Sequence, residues 1–155
     1  MQPFDRKIQS VIRKFWYPVW FVIRDPNIKC ACVDFTTGQP DQSCRKCLGT
    51  GRKIHIVRVR AAHQNDDLSM RGEGLGYAEK NVTANFYTLN DVNANADDII
   101  VDGNELFIIQ WSYPERSNAS RPVYYKHVAS PKKNSVDTFL RNFREVLANA
   151  GYGQQ

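Results

Sequence analysis

The sequence predicts a mainly β protein: a small antiparallel β-barrel with a cysteine-rich insertion, an N-terminal helix and a C-terminal amphipathic helix. Three observations carry that expectation. The segments VTANFYTL (82–89) and VYYKHV (123–128) are dense in the aromatic and β-branched residues that suit a pleated surface. Asp102-Gly103 sits between the apolar runs of IIVDGNELFIIQW (99–111), a strong signal for a tight hairpin. Apolar residues at helical spacing occur near both ends of the chain.

Phe4, Ile8, Val11, Ile12 and Phe15 form one apolar stripe on a helix of about three turns. Pro18 biases Tyr17 towards an extended conformation, so this helix should stop by Trp16. Val19–Ile23 reads as a short buried strand ended by Asp25-Pro26-Asn27. Lys53–Arg60 (KIHIVRVR) is a strand whose apolar phase shifts between Ile56 and Val57, which predicts a bulge or burial on both faces. Gln64–Lys80 is polar and glycine-rich and reads as a long mobile loop. Val136, Phe139, Leu140, Phe143, Val146, Leu147 and Ala150 share one face of the C-terminal helix. Ser135 is placed to cap its start, Asp137 suits the first-turn dipole, and Gly151 suits the stop. Residues 1–155 are therefore read as a single barrel domain with an insertion at 28–52.

The net charge of +5 is unevenly spread: residues 61–110 carry −7 between basic flanks. A dedicated nucleic-acid binder more often shows one dominant basic face. This pattern suits complementary protein surfaces at least as well. No apolar run approaches the roughly 18 residues needed to cross a bilayer, so no membrane partner is expected. The opening MQPFDRKIQSVIRKFWY is charged, unlike a secretory leader, which points to a reducing, intracellular origin.

In that setting four cysteines point to metal before disulfide, although four allow three pairings. Cys30 and Cys32 sit two apart, so both thiols face one side of an extended backbone. Cys44 and Cys47 form a C-x-x-C knuckle, and Gly49 and Gly51 let the chain leave it at positive φ. Four thiolates complete a tetrahedral shell around Zn²⁺ with no position left for water, so the zinc is read as structural. Residues 28–52 have few large apolar side chains, and the metal must organise them. His55 lies close in sequence and could replace a thiolate, but four already suffice. The run from Cys44 to Gly51 resembles one C-x-x-C-x-G-x-G repeat of DnaJ-type chaperone zinc domains, a likeness of knuckle geometry alone.

No catalytic set is legible, and the chain is read as a non-enzyme. Gly72, Gly74 and Gly76 mimic a phosphate loop, yet no Gly-Lys-Ser/Thr follows. His55, His63 and His127 fall in separate elements without a nucleophile motif. Adjacent Asp97 and Asp98 face opposite ways on an extended chain and suit a turn. Trp16, Trp20, Phe21 and Trp111 fall in helix or strand patterns and read as core. The alternative is a stacking platform in a zinc-ribbon, OB-like nucleic-acid-binding protein.

The arrangement around residues 82–130 resembles the head–tail connector proteins of tailed bacteriophages, the neck adaptor or head-closure family. TANFYTL leads to a turn and then to DDIIVDGNELFIIQW, like that family's recurring hairpin. The resemblance implies a virion structural protein of the neck, assembled in the host cytoplasm as a ring-shaped homo-oligomer. It would bind a portal or adaptor ring and tail proteins, contact packaged DNA and help retain it. The N-terminal helix and the early knuckle depart from the simplest members.

Overall fold

The computed structural model describes residues 3–67, 82–116 and 121–151. Helix α1 (Pro3–Phe15) leads into strands β1 (Tyr17–Lys29), β2 (Arg52–Asp67), β3 (Val82–Thr88), β4 (Ile99–Asp102), β5 (Glu105–Arg116) and β6 (Pro122–Pro131), and helix α2 (Val136–Asn149) follows. The six strands close into an antiparallel barrel in the order β1-β2-β3-β6-β5-β4. The fold class expected from the sequence is the one observed.

Alternation along the strands builds two apolar layers. Val19, Phe21, Ile100, Phe107 and Ile109 point inward and meet Phe86, Ala61 and Ala129 inside the barrel. Val22, Ile99, Val101 and Leu106 point outward, where Phe139, Leu140 and Phe143 of α2 cover them. The phase shift in β2 is explained by these layers. Its register with β1 runs unbroken from Tyr17↔Ala61 to Arg24↔Ile54, so no bulge is present. Ile54 and Ile56 instead pack under α2, while Val59 packs with the interior.

Several boundaries differ from the expectation. β1 runs on through Asp25-Pro26-Asn27 to Lys29, with a register shift between Arg24 and Lys29 where the strand end was expected. β2 includes Gln64–Asp67, expected as loop, because these residues pair with Asn85–Val82 of β3. The rest of that expected loop, with the three-glycine motif, lies outside the described residues. Pro18 and Pro114 sit inside strands at positions that β4 does not reach, where a missing N–H is tolerated.

Five side chains also depart from their expected roles. Ser135 adopts φ 57 and makes no side-chain cap. In that left-handed conformation only its carbonyl serves the helix, accepting from the Phe139 N–H at 3.0 Å. Trp111 is exposed rather than core, because the β5–β6 register shifts between Ile109 and Trp111 and turns its ring outward. The stripe on α1 is only partly covered: Ile12 is buried, whereas Phe4, Val11 and Phe15 face solvent. Gly151 takes φ 81 and ends α2 as expected.

Candidate metal centre

The cysteine loop is the tip of the β1–β2 hairpin. Lys29 pairs with Arg52, and the Cys30 N–H donates to the Gly51 carbonyl at 3.0 Å, closing the base. Inside it, short turns aim the thiols inward: the Cys44 N–H donates to the Asp41 carbonyl, and the Thr50 N–H and hydroxyl both donate to the Cys47 carbonyl. Leu48, Gly49 and Gly51 then take φ of 53, 79 and 76. The two glycines make this reversal without a Cβ penalty, as expected from their spacing.

All four sulfurs lie within 4.8 Å of one another. Sγ of Cys30 and Cys44 are 3.8 Å apart, and those of Cys32 and Cys47 are 3.5 Å apart. A tetrahedron with metal–sulfur bonds of about 2.3 Å has edges of roughly 3.8 Å. A disulfide would need about 2.05 Å, and all four cysteines are free thiols. The geometry is that of a four-thiolate cage able to hold a metal ion. His55 is exposed on β2 opposite Ile23 and does not join the cluster.

The thiols are not equivalent. Burial pushes Cys47 up to about 12 and also raises Cys32. Burial works against Cys44 ionising too, but the N–H groups of Cys47 and Lys46 and the neighbouring thiols outweigh it, bringing Cys44 to about 7. Ionising all four in so small a volume requires a cation.

Neither a family model nor a curated protein sequence matches the chain. The reading of the site therefore rests on its own geometry.

Around the cage, the fold adds partners that the cysteine spacing did not reveal. Leu48 is buried with Val22, Phe139 and Phe143 in the outer apolar layer. Asn142 of α2 donates to the Ser43 carbonyl at 3.2 Å, and Arg45 pairs with Glu145 at 3.1 Å. Leu48 has a local signal, as the one large apolar residue beside the C-x-x-C pair, but the cysteine spacing assigns it no role. Asn142 and Glu145 had no signal, since their partners lie about a hundred residues away.

The three histidines remain apart. His127 is buried inside the barrel between Thr88 Oγ1, 3.0 Å from Nε2, and Ser112 Oγ, 2.7 Å from Nδ1, with its edge against Phe21. His63 stacks on Phe86, and its Nδ1 lies 3.4 Å from Asp102 Oδ2, which also accepts from the Tyr17 hydroxyl at 2.5 Å. Burial opposes ionisation of Asp102, but the donors His63 and Tyr17 prevail and hold its carboxyl below the usual range. Asp97 and Asp98 lie at the turn before β4, as expected, but do not face opposite ways, since both reach the Arg24 side chain, at 3.7 and 3.6 Å. Asp97 is exposed, whereas Asp98 is buried and accepts from the backbone N–H groups of Arg24 and Asn95.

Proposed function

We propose that this chain is a head–tail connector subunit of a tailed-bacteriophage neck, bearing one structural zinc ion on Cys30, Cys32, Cys44 and Cys47. The observation that carries the reading is the place of the DDIIVDGNELFIIQW segment: it forms the β4–β5 hairpin of a closed six-stranded barrel flanked by two helices. The hairpin, the barrel and the C-terminal helix are features the family resemblance implies, while the N-terminal helix departs from its simplest members. In this role the chain assembles as a ring between portal or adaptor and tail, and the knuckle braces a protruding hairpin tip. The task needs shape and surface rather than bond-making chemistry. Zinc is favoured because four thiolates at tetrahedral separations leave no open position, the arrangement of structural zinc sites. Elemental analysis of the purified chain tests this, with one zinc per chain expected and iron the competing result for an S₄ cage.

Immunogold labelling of purified phage particles with an antibody against this chain tests the neck assignment. Label confined to the head–tail junction supports it, and particles without label overturn it. A second reading, nucleic-acid binding, draws on Arg58 and Arg60 seated over Trp20 and Trp16, which alternate cation and aromatic on one face. A steep loss of DNA affinity with salt would favour that reading.

A further inference from the structure

Phe35 is the most exposed large apolar side chain of the described residues, at 107% relative accessibility, yet the loop that carries it is tightly built. Asp34 Oδ1 accepts from the Thr36 and Thr37 N–H groups at 2.7 and 3.3 Å. The Gly38 N–H donates to the Asp34 carbonyl at 2.8 Å, and the Asp34 N–H donates to the Gln39 carbonyl at 3.0 Å. A phenylalanine held outward on a braced turn contributes nothing to the fold. It has the form of a preorganised anchor, whose ordering cost on binding is already met.

A receptor of matching chemistry lies elsewhere on the same molecule. The apolar stripe of α1 left uncovered by the barrel, with Phe4, Ile8, Val11 and Phe15, faces Tyr87 and Tyr124 across a cleft of about 620 Å³. That volume falls in the range of clefts that enclose a bound group several times larger than one phenyl ring. Charge agrees with shape. The exposed basic residues of α1 are Arg6, Lys7, Arg13 and Lys14, and Lys7 lines the cleft. The lobe around Phe35, residues 33–43, carries Asp34 and Asp41 and no basic residue.

The anchor and the cleft cannot meet within one chain. α1 ends just before the first residue of β1, and the lobe begins just after its last. The strand has 13 residues and covers the length of β2 from Ala61 to Arg52, so it spans roughly 30 Å. We infer that Phe35 of one copy inserts into the α1 cleft of a second copy, with Asp34 and Asp41 facing the basic residues of that helix. Such a contact is heterologous: it joins unlike patches, and repetition builds a ring if the rotation closes. Its biological use rests on the ring assembly proposed above, but the contact is testable without it. Gold label at the neck would survive the failure of this interface.

The experiment is sedimentation of the full chain at concentrations up to about 1 mM, where even weak self-association is visible. The parent chain is expected to associate. Phe35→Ser and Val11→Glu, both at exposed positions, should each weaken that association about thirtyfold or more, as loss of an anchor does. An equimolar mixture of the two variants keeps one intact anchor and one intact cleft. It should form a 1:1 dimer and stop there. That dimer also shows that both variants are folded. A parent chain that stays monomeric, a Phe35→Ser chain that assembles like the parent, or a mixture that stays monomeric would each overturn the inference.

Discussion

Asn142, in the middle of α2, donates through Nδ2 to the carbonyl of Ser43 in the cysteine loop, 3.2 Å away and 99 residues apart in sequence. Its side chain is almost fully buried while Ser43 is exposed, and the part-buried bond joins the hairpin tip to the helix. Asn142→Ala leaves a carbonyl without its donor and should cost about 1–2 kcal/mol. For a chain of this size that lowers the melting temperature by roughly 3–8 °C. The neighbouring Arg45–Glu145 pair is the contrast, since both partners are largely exposed. Glu145→Ala should cost less than about 1 kcal/mol and lose even that in high salt. Thermal melts of the two variants at two salt concentrations check the ordering.

Leu48 makes the cage and the barrel one cooperative unit. Its side chain sits among Val22, Phe139 and Phe143 only while the backbone of the knuckle holds its reversed course. Leu48→Ala should cost about 2–4 kcal/mol, the usual penalty for emptying a buried leucine site. Stripping the proposed zinc should release the same contact from the other end. Chelation, or Cys44→Ser, is expected to expose residues 28–52 to protease and to lower the melting temperature of the whole chain. Unchanged protease resistance of that segment after chelation would remove the structural role from the metal.

Gly51 is a position where a side chain is unwelcome. Its φ is +76, and a Cβ there would stand 3.2 Å from Pro40 Cβ and 3.4 Å from a methyl of Val33. Gly51→Ala therefore combines left-handed strain with a crowded approach, and a loss of about 1–3 kcal/mol is expected. Gly38 is the control, since it also has positive φ but an open Cβ direction. Gly38→Ala should cost only the conformational part, about 1 kcal/mol. Chemical denaturation of both variants reads the difference.

What could be read from the sequence divides along local and non-local lines. The helices, the Asp102-Gly103 hairpin and the four-cysteine spacing are local patterns, and the structure contains all of them. Trp111 was misplaced because a bulge between Ile109 and Trp111 reverses which face a residue occupies, and a bulge leaves little trace in composition. Gln64–Asp67 looked like loop because its polarity hid a pairing that only β3 supplies. The cage was legible because four ligands of one type at short spacing need no knowledge of the fold. Its attachment to α2 was hidden, because Asn142 and Ser43 meet only after the barrel has closed.

His127 should give the protein a pH-dependent stability that no surface histidine would. Desolvation inside the barrel lowers its pKa to about 4, against an ordinary value of 6.5. The native state thus keeps the ring neutral where the unfolded chain has already taken up a proton. Stability from this site is complete above about pH 6.5 and is lost progressively as the pH falls through 4. The full loss is about 3 kcal/mol, from the separation of the two values. His127→Gln can still bond with Thr88 and Ser112 but cannot titrate, so it should be flatter in this window even if less stable at pH 7. Denaturant unfolding of both chains from pH 7.5 to 4 gives the comparison. Parallel curves would mean that the ring is hydrated or charged in the native state, and that the barrel interior around Phe21 and Thr88 is open to water.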